Sequence, residues 1–290
     1  TIIDADYPAA LRHIPDPPPV LYVRGDFPER LDCAVGIVGA RRASLYGLHT
    51  AERFAVELAQ IGIPVVSGLA RGVDGAAHHG ALRAGGDTVA VLGCGLDVVY
   101  PPENLELYHA IMEKGCMISE FPFATQPSPG HFPRRNRIVS GLSLGVVVVE
   151  ADMKSGALIT AGFALEQGKE VFAVPGRIDS RMSTGPHALI KQGAKPVLCI
   201  EDILEELPVR VLRPGPQAAE DTEAGGISGE ERRVLEKVRE GHLSYEDLEA
   251  STGLGPTMLM AALLALEVRG KIVRKPGQMY ALKPGPANKF

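Results

Sequence analysis

The chain has 290 residues, of which 45% are hydrophobic, and its formal net charge is -5 at pH 7. That length and apolar content suffice for one large packed domain and a smaller one. No stretch approaches the roughly 18 apolar residues of a membrane helix, and the N-terminus lacks a signal-peptide pattern, so we expect a cytoplasmic protein with no membrane contact.

Residues 1–33 are expected to be an N-terminal lead that packs on the core. The proline cluster from Pro15 to Pro19 excludes a long helix, because proline lacks the backbone donor and biases its predecessor away from helical conformation. Residues 20–23 are a candidate short strand, which Gly25 ends.

Residues 34–207 alternate strand, turn and helix. The predicted strands cover residues 34–38, 64–66, 88–92, 117–120, 145–149, 171–174 and 197–200. Predicted helices lie between them, including residues 45–61, 105–113 and 157–167, and a further helix carries residues 135–137. This alternation predicts an α/β fold, a doubly wound and mostly parallel sheet with helices on both faces.

The run Val146-Val147-Val148-Val149 identifies the centre of that sheet. It shows no alternation of apolar and polar residues, which is typical of a strand buried on both faces. The run is followed by Lys154-Ser155-Gly156, where a small residue precedes a predicted helix.

Three predicted strands end at small residues with cations nearby. Because the carboxyl ends of parallel strands meet helix N-termini, which offer free N–H groups and partial positive charge, we expect one phosphate-binding edge. The candidate contact residues are Gly39, Arg41, Arg42, Ser67, Gly68, Phe132, Arg134, Arg135, Asn136, Arg137, Lys154, Ser155 and Gly156.

Other side chains leave two interpretations open. Phe132 or Tyr46 would suit stacking on a base of a single strand, and core packing is the alternative. Asp74 and His78 are four residues apart, a spacing compatible with acid–base chemistry. A helix cap at Asp74 and core packing at His78 explain them as well, so no catalytic residue is predicted.

The C-terminal part predicts a second domain. Residues 208–226 mix proline, glycine and acids without periodicity and are expected to be a linker. Residues 227–284 predict three helices and a hairpin, the winged-helix plan. The hairpin from Lys271 to Lys283 is basic and is a candidate contact for duplex or single-stranded DNA.

The cysteines give no sign of a metal or other cofactor. They lack Cys-x-x-Cys and Cys/His ligand spacings, so we expect reduced core residues. They are Cys33, Cys94, Cys116 and Cys199.

Several motifs together resemble the DNA processing protein A (DprA, or Smf) family. The matching segments are Phe132-Pro133-x-Arg135-Asn136-Arg137, Glu150-Ala151, Ser155-Gly156-x-Leu158-x-Thr160-Ala161, Ser67-Gly68-x-Ala70-x-Gly72-x-Asp74, Tyr100-Pro101 and Pro175-Gly176. The resemblance covers nearly the whole chain.

This resemblance implies an extended Rossmann-like domain that binds single-stranded DNA and forms a homodimer. It also implies that the protein protects incoming DNA and loads the RecA recombinase during natural transformation, without a chemical step. Arg41 and the Arg135-Asn136-Arg137 segment would contact the DNA backbone. The family's Gly-Ser-Arg motif is Gly39-Ala40-Arg41 here, so one hydroxyl contact is missing.

Two enzyme classes are alternatives on similar sheets. Nucleoside-monophosphate phosphoribohydrolases of the Lonely Guy type carry a glutamate after the threonine of their glycine-rich turn, whereas the segment after Thr160 is Ala161-Gly162-Phe163. Dinucleotide oxidoreductases need Gly-x-Gly-x-x-Gly after the first strand, and residues 36–39 do not supply it. The sequence therefore favours a binding protein.

Overall fold

The computed structural model describes residues 1–207, 229–240, 243–255, 258–259, 262–263, 266, 271–275 and 279–282. The chain divides into two compact units, Thr1–Arg213 and Pro214–Phe290. The predicted linker, residues 208–226, lies outside the described residues. Within the described ranges, no helix has both the length and the apolar character needed to cross a bilayer.

The first unit is built on an eight-stranded sheet. The strands are β1 (Tyr22–Arg24), β2 (Val35–Val38), β3 (Val65–Ser67), β4 (Thr88–Leu92), β5 (Cys116–Ser119), β6 (Gly145–Val148), β7 (Glu170–Ala173) and β8 (Lys195–Pro196). Their order across the sheet is β1-β5-β4-β3-β2-β6-β7-β8. All neighbouring pairs are parallel except β1 with β5. The predicted doubly wound, mostly parallel sheet is confirmed.

Helices cover both faces of this sheet. They are α1 (Ala9–Arg12), α2 (Leu45–Gln60), α3 (Val73–Arg83), α4 (Leu105–Lys114), α5 (His131–Gly141), α6 (Gly156–Glu166), α7 (Thr184–Lys191) and α8 (Ile200–Leu204). Apolar residues of α1, α5, α6 and α7 share one core cluster. Those of α2, α3 and α8 share the cluster on the other face, and α4 packs over β4 and β5.

The valine run explains why β6 is central. Val146 and Val148 belong to the cluster under α5 and α6, whereas Val147 and Val149 belong to the cluster under α2 and α3. All four are at most 1% exposed. Full burial of each such side chain stabilises the fold by roughly 1.5–3 kcal/mol relative to exposure. An uninterrupted apolar run is therefore what a strand covered on both faces requires.

The end of the sheet differs from the prediction of a strand at residues 197–200. Strand β8 lies earlier, because the Asp202 carboxylate accepts hydrogen bonds from the backbone N–H groups of Leu198 (2.7 Å) and Cys199 (3.1 Å) and turns the chain into α8. The same turn exposes Cys199, so the expectation of four core cysteines is wrong there. The buried cysteines are Cys33, Cys94 and Cys116.

The second unit has its own apolar core. It contains α9 (Gly229–Glu240), β9 (Leu243–Ser244), α10 (Tyr245–Thr252), β10 (Ile272–Lys275) and β11 (Met279–Leu282). The strands form an antiparallel sheet in the order β10-β11-β9. Residues 258–259, 262–263 and 266 are helical, in the range of the predicted third helix. The rest of that helix, the hairpin turn and Lys283 lie outside the described residues.

Gly72 is a point where two loops of the first unit meet. It precedes α3 with φ +75° and ψ -125°, and a Cβ at this position would lie 2.2 Å from the carbonyl oxygen of Ala40. We expect Gly72→Ala to destabilise the unit by about 2–4 kcal/mol, because the backbone cost adds to a clash with main chain that has no room to move. Denaturant unfolding measures this change.

Gly85→Ala is the matched control. Gly85 has nearly the same φ, +72°, but nothing lies within 4 Å of the added Cβ. It should cost about 1 kcal/mol, since only the backbone term remains. Equal unfolding midpoints for the two variants would contradict the proposed clash.

Candidate nucleic-acid interface

The strand order reverses direction between β2 and β6. Strands β3, β4 and β5 continue on one side of β2, and β7 and β8 continue on the far side of β6. Open parallel sheets bind ligands beyond the carboxyl ends of their strands at such a point. A cleft of about 810 Å³ opens there, between the loop after β2 and the loop after β6. We call it the switch-point cleft.

Most of the predicted contact residues line this cleft. They are Gly39, Arg41, Arg42, Gly68, Phe132, Arg135, Asn136, Lys154, Ser155 and Gly156. They come from the loops after β2, β3 and β6, from the first half of α5 and from the start of α6. The topology therefore brings together segments that are more than 100 residues apart in the chain.

Arg135 lines the inner wall of the cleft but serves the fold. It is 4% exposed, and its Nη1 donates to the carbonyl of Gly68 at 2.6 Å and to the carbonyl of Val91. It thus ties the carboxyl end of β3 to that of β4. Burial lowers the pKa of Arg135 to about 10, and nearby Asp74 opposes part of that shift. The guanidinium remains charged at neutral pH.

The glycines of the cleft differ in what their small size permits. A Cβ on Gly68 would lie 2.4 Å from Nη2 of Arg135, and a Cβ on Gly39 would lie 2.6 Å from the Val73 side chain. Packing within the protein therefore requires glycine at both positions. For Gly156, the nearest atom to an added Cβ is Nδ2 of Asn136, 4.0 Å away. Of these three glycines, Gly156 is the one that leaves room for a ligand.

The helix N-termini at the cleft also differ in whether they leave room for a ligand. At α2, Ser44 donates its N–H and its hydroxyl to the buried carboxylate of Glu150, at 2.8 and 2.6 Å. At α3, the first turn contains buried Asp74. A carboxylate of the protein thus already lies in the start of α2 and of α3.

At α6, the Ser155 hydroxyl oxygen accepts from the N–H of Ala157 at 3.3 Å, and the first turn contains no acid. Before α6, the Asp152 carboxylate accepts from the N–H of Lys154 at 2.8 Å and pairs with Arg181, and the first turn of the helix itself is left to an anion.

Three cations at the mouth of the cleft carry uncompensated charge. Arg41, Arg42 and Lys154 are exposed, and within the part of the chain that the structure describes none of them forms an ion pair. The guanidinium carbon of Arg41 lies 5.1 Å from the ring centroid of Phe132. The Tyr100 ring lies 5.3 Å from the Phe132 ring with planes 33° apart. In the cleft, the rings of Phe132 and Tyr100 thus lie beside cations that have no acidic partner among the described residues.

Three predicted contact residues lie outside the lining. Ser67 is buried and donates its hydroxyl hydrogen to the carbonyl of Ile37 at 2.6 Å. Arg137 is 4% exposed and forms two hydrogen bonds with the Glu120 carboxylate, at 2.8 and 2.9 Å. Arg134 is exposed and reaches the same carboxylate at 3.1 Å. Ser67 thus links β3 to β2, the two arginines link α5 to Glu120, and none of the three lines the cleft.

Asp74 and His78 also serve the fold. The predicted cap at Asp74 is wrong, because Gly72 is the N-cap of α3 and Asp74 lies in its first turn, where it accepts from the N–H of Gly68 at 3.2 Å. Burial raises the pKa of Asp74. His78 accepts from the N–H of Leu69 at 3.3 Å, and burial lowers the pKa of His78 to about 3. Its imidazole is neutral at physiological pH.

The structure adds lining residues that the sequence reasoning missed. They are Tyr100, Pro127, Ser128, Pro129, Asp152, Arg181 and Met182, among others. Arg181 is 77% exposed and its Nη2 lies 3.2 Å from Oδ2 of Asp152. Tyr100 follows β4, residues 127–129 follow β5 and Arg181 follows β7, so reading every strand end as part of the cleft would have found them. Among the described residues, no group of His, Cys, Asp or Glu is placed to hold a metal.

Comparison with known proteins gives matches across both units. The family model of DNA recombination-mediator protein A matches residues 1–208, and the DprA winged helix domain model matches residues 213–278. DNA processing protein DprA of Bacillus subtilis is 46% identical over 72% of this chain and 71% of its own. Protein Smf of Escherichia coli is 40% identical over 97% of this chain and 77% of its own.

Solved structures agree with these matches. DNA processing protein A from Streptococcus pneumoniae superposes with a TM-score of 0.69 at 44% identity, over 72% of this chain and 73% of its own. DNA processing protein A from Helicobacter pylori, solved in work on its single-stranded DNA binding mode, superposes with a TM-score of 0.63 at 35% identity. That match covers 68% of this chain and 91% of the other.

Proposed function

The chain belongs to the DNA recombination-mediator protein A family, as its motifs predict, and we propose that it binds single-stranded DNA in the switch-point cleft. In this proposal it protects incoming DNA, loads the RecA recombinase onto it during natural transformation, and catalyses no chemical step. The supporting observation is the open cleft at the strand reversal, where Arg41, Arg42 and Lys154 are exposed and have no acidic partner among the described residues. Phosphate neutralisation by such cations supplies most of the affinity of sequence-independent binding.

One phosphate is proposed to lie at the start of α6. Gly156 leaves room beside the backbone there, and the exposed Lys154 precedes it by two residues. The partial positive charge of the helix start and the lysine ammonium would act on the same phosphate. Arg41, on the opposite wall, would contact a neighbouring phosphate through its planar guanidinium.

The bases are proposed to face the aromatic side of the cleft. Phe132 is half-buried beside Tyr100, and Arg41 lies over its ring. A base that stacks on Phe132 would replace the Arg41 guanidinium, which then turns to the phosphate. Stacking does not depend on base identity, so this contact fits binding without sequence preference.

Titration of labelled oligonucleotides tests the proposal. We expect a strand of about 20 thymidines to bind the full chain at least ten-fold more tightly than a duplex of equal length. Its affinity should fall steeply between 50 and 200 mM salt, because each phosphate contact contributes about 0.7 to the logarithmic slope. Equal affinity for the duplex, or release of free base from a nucleoside monophosphate, would contradict the proposal.

The partners remain part of the same proposal. A homodimer and a contact with RecA are proposed because the resemblance implies both. The winged-helix unit is proposed as an additional DNA contact, with duplex DNA as a candidate. Lys271, at the start of its basic hairpin, is exposed.

A further inference from the structure

A second cavity lies outside the switch-point cleft, between α2 and the end of the sheet that carries β7 and β8. Its volume is about 350 Å³. The lining includes Tyr46, His49, Arg53, Phe54, Val174 and Val197. We call this cavity the edge groove. Phe54, Val174 and Val197 are almost fully buried and form its apolar floor.

The edge groove and the cleft are lined by neighbouring residues of the chain at the start of α2. Tyr46, His49 and Arg53 are spaced three and four residues apart, so they lie on one face of the helix, and all three are exposed. Arg42 lies four residues before Tyr46 and lines the switch-point cleft. A strand that leaves the cleft past Arg42 would therefore run toward this face of α2.

The loop after β7 connects the two cavities on the other side. The Tyr46 hydroxyl donates to the carbonyl of Pro175 at 2.9 Å, so the ring bridges α2 and the start of this loop. Further along the same loop, Arg181 and Met182 line the cleft. The hydrogen bond holds an exposed aromatic ring of the edge groove against the loop that also borders the cleft.

The charges in the edge groove are largely compensated. The Arg53 guanidinium lies 4.8 Å from the Phe54 ring centroid, its Nη2 donates to the carbonyl of Leu198 at 3.0 Å, and its Nε lies 3.7 Å from Oε1 of Glu57. The carboxylate of Asp202 accepts from the Leu198 N–H. An aromatic ring, a flat guanidinium and an apolar floor with little net charge suit a planar base better than a phosphate.

We propose that the edge groove is a nucleobase subsite, which takes a base of the same single strand after that strand leaves the switch-point cleft. The proposal rests on the proposed function. It predicts a length dependence: a short oligonucleotide fills the cleft alone, and a longer one also reaches Tyr46. It also predicts that this added affinity depends little on salt, because the subsite contacts a base.

The test compares thymidine oligonucleotides of about 5 and about 20 nucleotides on the full chain. Tyr46→Ala is expected to lose about 5- to 10-fold in affinity for the long strand, the size of one stacking contact, and less than 2-fold for the short one. Its salt dependence should match that of the wild type. Arg53→Ala should show the same length dependence, and Tyr46→Phe should retain affinity because the ring remains.

Tyr22→Ala is the control, since Tyr22 is an aromatic residue of β1 at the opposite edge of the same sheet. It should leave both affinities unchanged. Wild-type protein that binds neither strand would refute the proposed function itself. Wild-type binding with no length-dependent loss in Tyr46→Ala, or with equal losses on both strands, would overturn the edge groove alone.

Discussion

Reversal of two charges at the cleft, Arg41→Glu with Lys154→Glu, is expected to lower affinity for a single strand of about 20 thymidines by at least about 100-fold. Both side chains are exposed and without ion-pair partners among the described residues, so each is available to a phosphate. The variant replaces two attractive contacts with two repulsive ones in a cleft whose binding is electrostatic. Fluorescence anisotropy at fixed salt measures the loss.

A second charge reversal serves as its control. Lys114→Glu with Lys191→Glu changes the net charge by the same amount, but these exposed residues end α4 and α7, at the amino ends of the strands and away from the cleft. It should weaken binding by only a few-fold. Both variants should melt close to the wild type, because surface substitutions change stability little. Equal loss of binding in the two variants would mean that net charge, and not the cleft, attracts the strand.

Arg135→Ala is expected to destabilise the first unit by about 3–5 kcal/mol. The change removes a buried cation that donates to the carbonyls of Gly68 and Val91 and compensates the buried Asp74. In a unit of this size that corresponds to a fall of roughly 6–20 °C in melting temperature. Thermal and denaturant unfolding measure it directly.

The adjacent residue provides the comparison. Arg134→Ala removes an arginine from the same helix. The Arg134 side chain is 58% exposed, so solvent screens its ion pair with Glu120. It should cost no more than about 1 kcal/mol. Adding Asp74→Asn to Arg135→Ala should restore part of the loss, because the uncompensated carboxylate disappears. Similar stability of the two alanine variants would contradict a structural role for Arg135.

Some of these features could be predicted from sequence patterns and others could not. The valine run and the small residues after β2 and β6 predicted a central strand and a site beyond it, because a strand buried on both faces is apolar without interruption and small residues mark where the strands end. The arginines of α5 gave no such signal. Successive helix residues point about 100° apart, so Arg134, Arg135 and Arg137 face solvent, sheet and Glu120, and their spacing alone does not reveal which is which.

Contacts between residues that are far apart in the sequence could not be predicted either. The Glu150 carboxylate accepts from Ser44, which is 106 residues away in the chain, and this contact decides that the start of α2 is occupied. Likewise, the glycine at position 68 reads as space for a ligand until Arg135 is placed beside it. A pattern predicts that a residue is small, and only the neighbours show what its small size accommodates.

The lengths of the outermost strands have a consequence for behaviour at high concentration. Strand β1 has three residues and β8 has two, one of them a proline without a backbone donor. Edge strands this short present few unpaired main-chain groups. A strand of another copy can therefore form few hydrogen bonds with them. Many copies crowded along one polymer are therefore expected to stay individually folded instead of fusing their sheets into aggregates.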